Sequence, residues 1–136
     1  MDRLYAFLNP IRRNEEREVV ISDRFRDENG NVIPFRIRAL PQEESDEITK
    51  KSRKGQKING VWQERLDPVE FNRRMVVAAT VEPDFRDKAL CEAYGVLDPL
   101  LVPGKMLLSG EYTALLDAIS KLSGFDKESV ADEAKN

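Results

Sequence analysis

The stretch from residue 67 to residue 85, DPVEFNRRMVVAATVEPDF, carries the clearest folding signal in the chain. Its beginning is typical of a helix, because Asp67 can accept a backbone N–H of the first turn and Pro68 suits the first helical position. Apolar side chains then recur at helical spacing until the segment is apolar nearly all round, which is typical of a helix surrounded by protein. Pro83 disfavours further helix. We therefore predict a central helix within 67–82, with the rest of the chain packed around it.

Composition narrows the class of protein. The chain has 136 residues, of which 40% are hydrophobic and 35% charged, and its net charge is −3. That is the usual size of one domain, and the interspersed charges do not favour nucleic acid or anionic lipid as a partner. There is no histidine, so the usual general base and the commonest metal ligand are missing. The only cysteine, Cys91, cannot form an internal disulfide and is predicted to be a small buried hydrophobe.

The same features predict a cytoplasmic protein. One unpaired cysteine fits a reducing compartment. The sequence has no apolar run close to the ~20 residues of a membrane span, and its N-terminus, MDRLYAFLNP, does not have the pattern of a signal peptide. Residues 1–17 are expected to be an apolar arm followed by a charged linker. The arm either tucks onto the core or docks on a partner.

Residues 18–40 predict a β-hairpin, because Asn29-Gly30 is a strong turn signal. A loop of three residues, 28–30, with Gly30 in the left-handed conformation, puts apolar residues opposite one another on one face. The predicted pairs are Phe25 with Ile33, Ile21 with Ile37, and Val19 with Ala39.

Arginines collect on the other face of this predicted hairpin. They are Arg24, Arg26, Arg36 and Arg38. One interpretation is a solvated outer face that keeps the sheet edge soluble. The other is a partner-binding patch for carboxylates or other anions, since arginine forms bidentate pairs with them.

After this hairpin we predict a charged helix and then a connecting segment. Residues 41–54 are predicted to be a helix, because acids lie near its N-terminal end and bases near its C-terminal end. Its attachment is expected to be weak, because only Leu40 and Ile48 offer apolar anchorage. Residues 55–66 contain a second Asn-Gly and predict a small hairpin or an irregular loop. Trp62, the only tryptophan, is either a lid over the core or an exposed partner contact.

Short helices are predicted for the C-terminal half. We expect them at 87–94, irregularly within 99–107, and at 110–123. The last one carries a regular apolar stripe, and we expect Ser109 to cap it and Gly124 to end it. The stripe consists of Tyr112, Leu115, Leu116, Ile119 and Leu122. Residues 126–136 are charged and are expected to fray.

No pattern in the sequence indicates catalysis. There is no phosphate-binding glycine loop or nucleophile elbow, and cysteine and histidine are too scarce for a zinc site. The carboxylate pairs stand beside lysine or arginine or near helix starts, which solvated faces and caps explain. The prediction is a non-enzymatic protein without cofactor, metal or small-molecule substrate. Its fold class is α+β, with residues 18–125 as one domain: an N-terminal β-hairpin followed by a mainly α-helical C-terminal half.

Four segments give the chain a family resemblance. They are the N-terminal FLNP, the hairpin VVISDRFRDENGNVIPFRIRAL, the central FNRRMVVAATVEPDFRDKALCEAYGV and the C-terminal KMLLSGEYTALLDAISKLSGFD. Together they resemble the XkdN-like tail assembly chaperones of phages and prophages. The chain departs from that pattern at Pro41, in the loop through Trp62, and at Pro103-Gly104.

This resemblance implies an assembly factor that binds the tape measure protein, with the tail tube protein as a further partner, and that is absent from the finished particle. It brings no catalytic or ligand residues with it. The partner-binding residues we predict are Arg24, Arg26, Arg36, Arg38 and Trp62. The alternatives are a small DNA-binding regulator and a structural tail or connector protein, and the sequence leaves the oligomeric state open.

Overall fold

The computed structural model describes residues 2–11 and 16–125, and its order of elements confirms the predicted α+β class. Most strands lie in the N-terminal half and most helices in the C-terminal half. In chain order the elements are α1 (Leu4–Leu8), β1 (Glu16–Val19), β2 (Phe35–Arg38), α2 (Gln42–Lys51), β3 (Arg53–Ile58), β4 (Val61–Leu66), α3 (Pro68–Ala79), β5 (Thr80–Glu82), α4 (Lys88–Ala93), a 3₁₀ turn (Pro99–Leu101), α5 (Val102–Met106) and α6 (Ser109–Leu122).

The strands form two separate antiparallel sheets. The first has the order β1-β2-β5, so β2 is its central strand. Phe35 and Ile37 of β2 are buried, whereas Arg36 and Arg38, which alternate with them, are only half-buried. This alternation is what a strand produces when one of its faces covers a core. The second sheet contains only β3 and β4.

Helix α3 begins as the sequence predicts. The Asp67 side chain accepts the backbone N–H groups of Val69 at 3.0 Å and Glu70 at 3.2 Å. Val76 and Ala79 are fully buried. The predicted C-terminal end is wrong, however, because the helix stops at Ala79 and residues 80–82 form β5.

The reason for the early stop is the sheet. β5 pairs with β2, with Ile37 opposite Thr80 and Arg36 opposite Glu82. Thr80 and Val81 are β-branched and favour an extended backbone. Pairing with the available edge of β2 therefore competes well with another half turn of helix. Local propensity gave no sign of that edge.

The N-terminal hairpin keeps its predicted turn but not its predicted register. Gly30 has a φ of 84°, and the Ile33 N–H donates to Phe25 O at 2.8 Å, so the three-residue loop is confirmed near the tip. Farther out, Val19 pairs with Phe35 and Arg17 with Ile37. The predicted pairs of Ile21 with Ile37 and Val19 with Ala39 are therefore wrong.

The register changes because the hairpin is not a continuous ladder. Residues 20–25 leave regular strand geometry before the turn, and Pro34 lacks the N–H that a continuous ladder requires. Residues 16 and 17, which we assigned to the charged linker, belong to β1. The rest of that linker, 12–15, and the predicted tail, 126–136, lie outside the described residues.

The C-terminal helices follow the prediction with one correction at a cap. Asp87 caps α4 and Gly95 follows it with a φ of 68°. Ser109 does not cap α6 but is its first residue; Leu108 holds the cap position. At the other end, the Phe125 N–H donates to Ser120 O at 2.9 Å and Gly124 has a φ of 100°, which is the predicted Schellman ending.

The core lies between β2, α3 and α6. Its fully buried side chains include Ile37, Val76, Phe85, Leu115 and Ile119, and Cys91 at its margin is buried as predicted. Because these residues come from both halves of the chain, the sheet and the helices share one hydrophobic core.

Leu115 tests how much this core stabilises the fold. We expect Leu115→Ala to lower the free energy of unfolding by about 2–5 kcal/mol, because the side chain is fully buried and its removal leaves a cavity. Leu97→Ala is the matched control, since Leu97 is fully exposed and should change stability by less than about 0.5 kcal/mol. Urea denaturation followed by circular dichroism measures both. Equal losses for the two variants would contradict this assignment of the core.

Candidate partner-binding surfaces

The structure does not bring the five predicted partner-binding residues into one patch. Arg36 and Arg38 lie on β2, whereas Arg24 and Arg26 lie outside the regular strands. Trp62 belongs to β4, in the other sheet. Arg24, Arg26 and Arg38 donate hydrogen bonds within the chain, whereas Arg36 has only longer contacts to carboxylates, so the four environments differ.

Arg24 joins the hairpin to the start of α6. Its Nε donates to the Glu111 carboxylate at 3.0 Å, its Nη2 donates to the same carboxylate, and Nη2 also reaches Met106 O at 3.3 Å. The guanidinium lies over the Phe25 ring, 5.0 Å from its centroid. This is a bidentate pair with a stacked cation, which fixes the hairpin against the last helix.

Glu111 accepts hydrogen bonds from other groups besides Arg24. The Arg24 side chain, the Ser22 hydroxyl and the Leu108 backbone N–H all donate to its carboxylate, and together they lower the pKa of Glu111 to about 2. The Leu108 N–H lies 2.7 Å from Oε1 and would otherwise be an unpaired donor at the start of α6. The carboxylate therefore caps the helix and holds the hairpin at the same time.

Arg38 joins three elements. Its two Nη atoms donate to Glu44 of α2 at 3.0 and 2.6 Å, and its Nε donates to Ala78 O of α3 at 3.1 Å. The sequence predicts weak attachment of α2 because it offers only two apolar anchors, Leu40 and Ile48. Both are buried, and the Arg38–Glu44 pair adds a third attachment that the apolar pattern could not reveal.

Arg26 and Arg36 have looser roles. Arg26 braces the turn by donating to Asp23 O and Gly30 O, each at 2.9 Å. Arg36 lies between two carboxylates on the neighbouring strands, Glu16 and Glu82, at 3.7 Å from each. These distances exceed hydrogen-bond length, so of the four arginines Arg36 is the least committed to the fold.

Trp62 is not a lid over the core. Its side chain is 64% exposed on β4, and the β3–β4 hairpin turns at Asn59-Gly60, where both residues have positive φ. The hairpin is longer than the small tip predicted, since it begins at Arg53 and ends at Leu66. Of the two interpretations left open by the sequence, the structure agrees with the exposed side chain.

The β3–β4 hairpin is attached to the body at its base. The Asp67 N–H donates to Ser52 O at 2.8 Å, and Lys54 Nζ lies 2.8 Å from the Asp67 carboxylate. Beyond that base all residues of both strands except Ile58 are exposed, and most contacts of the hairpin are between its own two strands. It therefore extends away from the core as an arm.

A second exposed apolar surface is the N-terminal helix. Four side chains of the segment around α1 are more than two-thirds exposed, and none is part of the core cluster. They are Tyr5, Phe7, Leu8 and Ile11. Adjacent exposed apolar groups of this kind typically mark interaction sites.

The described residues show little that could perform chemistry. A cleft of about 340 Å³ between α3, α5 and α6 has Arg73 and Tyr112 as its only ionisable side chains. Burial raises the pKa of Tyr112, so the phenol stays protonated near neutral pH. Within residues 2–11 and 16–125, no three potential metal ligands come together, and no helix is long and apolar enough to cross a membrane.

Sequence reasoning missed part of the exposed surface on the second hairpin. Leu66 is 44% exposed, and the basic residues Arg53, Lys57 and Arg65 are also exposed on this arm. A signal was present, because residues 50–66 contain six lysines and arginines but only one glutamate. This excess of basic residues indicates a basic surface only when the segment is known to form one protruding hairpin.

Comparison with known proteins identifies the family. A family model described as phage XkdN-like tail assembly chaperone protein matches residues 4–135. The phage-like element PBSX protein XkdN of Bacillus subtilis (strain 168) is 39% identical over 126 residues, which covers 90% of this chain and 85% of the relative. The uncharacterised protein YqbN of the same strain has the same identity and coverage. The crystal structure of the protein YqbN has a TM-score of 0.73 at 36% sequence identity, covering 89% of this chain and 96% of that chain.

The fold is that of a small α+β protein with two exposed apolar elements, α1 and the β3–β4 hairpin, outside its core. The chain belongs to the XkdN-like family of phage tail assembly chaperones.

The Arg24–Glu111 pair predicts a dependence of stability on pH. The pKa of Glu111 is lowered from 4.5 to about 2 in the folded chain, so the carboxylate stabilises the fold fully above its unfolded pKa and loses this effect as the pH falls towards 2. We expect Glu111→Gln to be less stable than the unmodified protein at about pH 7, with a difference that shrinks below about pH 4.5. Urea denaturation at several pH values measures it.

Arg24→Gln provides the control for this experiment. With the arginine removed, adding Glu111→Gln should have a smaller effect and a weaker pH dependence, because the largest cause of the low pKa is gone. A destabilisation by Glu111→Gln that stays constant through the acid range would contradict this role.

Proposed function

We propose that this protein binds the tape measure protein in the bacterial cytoplasm during tail assembly and is released before the particle is complete. It holds the apolar segments of that long protein in solution while tail tube subunits, a further candidate partner, assemble around it. The protein performs no turnover chemistry in this role. The observation that carries the proposal is the pair of exposed apolar elements, α1 and the β3–β4 hairpin, in a member of a tail assembly chaperone family.

The placement of these elements supports reversible binding. Both lie outside the core cluster, so a partner can cover them without disturbing the packing of α3 and α6. Tyr5, Phe7 and Trp62 are among their exposed side chains, and aromatic residues contribute strongly to binding at protein interfaces. A chaperone needs contacts that form and dissociate, and two modest surfaces provide this better than one large apolar interface.

The four arginines have different roles in this proposal. Arg24 and Arg38 hold elements of the fold together, and Arg26 braces a turn, so they support the binding surface indirectly. Arg36 has a side chain that is 42% exposed and long contacts to two carboxylates. It can exchange these weak partners for a carboxylate of the client, which is the role we propose for it.

The proposal predicts that the protein captures the tape measure protein and is missing from the finished particle. Tagged protein should co-purify with the tape measure protein from cells that express both, whereas mass spectrometry of purified particles should not detect it. Detection in particles at a fixed copy number would indicate a structural tail or connector protein instead. Salt-dependent retention on duplex DNA without tape measure capture would indicate a DNA-binding regulator.

A single substitution tests Arg36. We expect Arg36→Gln to weaken capture of the tape measure protein by about three- to tenfold while changing the stability of the fold by less than about 0.5 kcal/mol. Arg86→Gln is the matched control, because Arg86 is also an exposed arginine beside a carboxylate, Asp84, at 3.2 Å. Equal capture by the two variants would exclude Arg36 from the interface.

Replacing all four arginines at once does not test this idea. Arg24 and Arg38 connect the hairpin to α6, α2 and α3, so the quadruple serine variant should lose stability through broken intramolecular contacts. A face that served only solvation or partner binding, as inferred from the sequence, would let such a variant keep its fold. The contacts in the structure predict the opposite, and urea denaturation distinguishes the two.

A further inference from the structure

One face of the β3–β4 hairpin combines an exposed tryptophan with basic side chains. In the hairpin, Lys57 pairs with Trp62, Gly55 with Glu64, and Arg53 with Leu66. Because alternate residues of a strand point to the same side, these six share one face. We call it the tryptophan face.

The indole of Trp62 has a defined seat on this face. A Cβ atom built on Gly55 would lie 2.0 Å from Cζ2 and 2.6 Å from Cε2 of Trp62, so only glycine leaves room for the ring. The ring therefore lies across the backbone of β3 diagonally opposite its own position. With one side resting on Gly55 and the side chain still 64% exposed, the indole presents an ordered apolar surface outward.

The hairpin is basic on balance, and on the tryptophan face itself Arg53 and Lys57 outnumber Glu64, the one acidic residue of that face. Residues 50–66 contain six lysines and arginines and one glutamate, in a chain whose net charge is −3. Lys54 is paired with Asp67 and Lys50 with Glu47. Among the residues that the structure describes, none of Arg53, Lys57 and Arg65 is within salt-bridge distance of a carboxylate.

From this arrangement we infer that the tryptophan face binds an acidic, amphipathic polypeptide segment. Apolar side chains of that segment cover Trp62 and Leu66, and its carboxylates pair with Arg53 and Lys57. The Cα atoms of Trp62 and Leu66 are ~13 Å apart, since the residues are four positions apart on one strand. The indole leans over Gly55, opposite Glu64, so the two apolar groups that the segment must cover are closer to each other than that. The inference rests on the proposed function and specifies the chemistry of the client segment.

Nucleic acid fits this face less well. Binding to single strands depends on several aromatic platforms along a basic groove, and Trp62 is the only aromatic residue between 50 and 66. Leu66 adds apolar surface on this face that a phosphate backbone would not cover. The rest of the chain is acidic enough to give a negative net charge, which opposes long nucleic acids.

The single tryptophan makes binding measurable without a label. The probes are three tryptophan-free synthetic peptides of 20 residues: an amphipathic peptide of glutamate and leucine, the same peptide with lysine in place of glutamate, and one with serine in place of leucine. The glutamate–leucine peptide should move the emission of Trp62 to shorter wavelength and bind at least about tenfold tighter than the other two, since it alone supplies both groups. Its affinity should fall as salt is added.

Variants locate the binding to this face. Arg53→Glu with Lys57→Glu, and separately Gly55→Ala, should each weaken binding of a fluorescein-labelled glutamate–leucine peptide by at least about tenfold, the first by charge repulsion and the second by displacing the indole. The matched control is Lys88→Glu with Lys105→Glu, which changes the net charge equally at two exposed positions on α4 and α5. The control should bind like the unmodified protein.

Several results would overturn the inference. They are equal binding of the lysine–leucine or the glutamate–serine peptide, no binding of the glutamate–leucine peptide, unchanged affinity in the hairpin variants, and tighter binding of an oligothymidine than of any peptide. The peptides do not require the tape measure protein. Failure here with intact client capture therefore refutes only the tryptophan face, whereas lost capture with intact peptide binding refutes the proposed client.

Discussion

The short ladder between β2 and β5 is the constraint on which the rest of the structure depends. β5 follows α3 without a connecting residue, so pairing it with β2 fixes the direction in which α3 crosses the sheet. Ile37 and Thr80, opposite one another in this ladder, are both buried, as are Val76 and Ala79 in the last turn of α3. Without this pairing the N-terminal hairpin and the helical half would have no common core, since the hairpin is too small to be stable alone.

Around that core, ion pairs attach elements that apolar packing holds only weakly. Arg24 ties the hairpin to the start of α6, and Arg38 ties β2 to α2 and α3. Both are bidentate pairs that also meet backbone hydrogen-bonding needs. Arg24 donates to Met106 O as well, Glu111 accepts from the Leu108 N–H, and Arg38 donates to Ala78 O. Such pairs contribute more than ordinary surface ion pairs, because each one meets a hydrogen-bonding requirement that the fold would otherwise leave to water. A chain with 35% charged residues and a thin core gains from attachments of this kind.

The two elements with the most exposed apolar surface lie outside this arrangement. α1 has no buried residue, and the β3–β4 hairpin is attached at its base by Ser52 and Asp67. Elements with few buried contacts open and reorient at low free-energy cost, whereas the shared core does not. This separation suits the proposed role, since a client can be held and released at the periphery while the body keeps its structure.

The sequence by itself determined the local features. Asp67, Asp87, Gly95 and Gly124 specify helix ends through their own backbone geometry and neighbouring N–H groups, and the apolar stripe of α6 specifies the buried face. The family resemblance, carried by the same caps and core positions, also came from the sequence. Each of these signals involves residues within a few positions of one another, so no knowledge of the rest of the chain is required.

Tertiary structure alone decided the matters that join distant residues. Residues 80–82 became a strand because β2 offers an edge about forty positions earlier, and the hairpin register followed from that sheet and from Pro34. Three of the four arginines were separated because their carboxylate partners, Glu111, Glu44, Glu16 and Glu82, come from other elements, while Arg26 donates to backbone carbonyls of its own turn. The seat of Trp62 on Gly55 depends on the register of β3 against β4. Pairing between remote segments follows from the geometry of the whole chain. It cannot be predicted from local propensity or from composition.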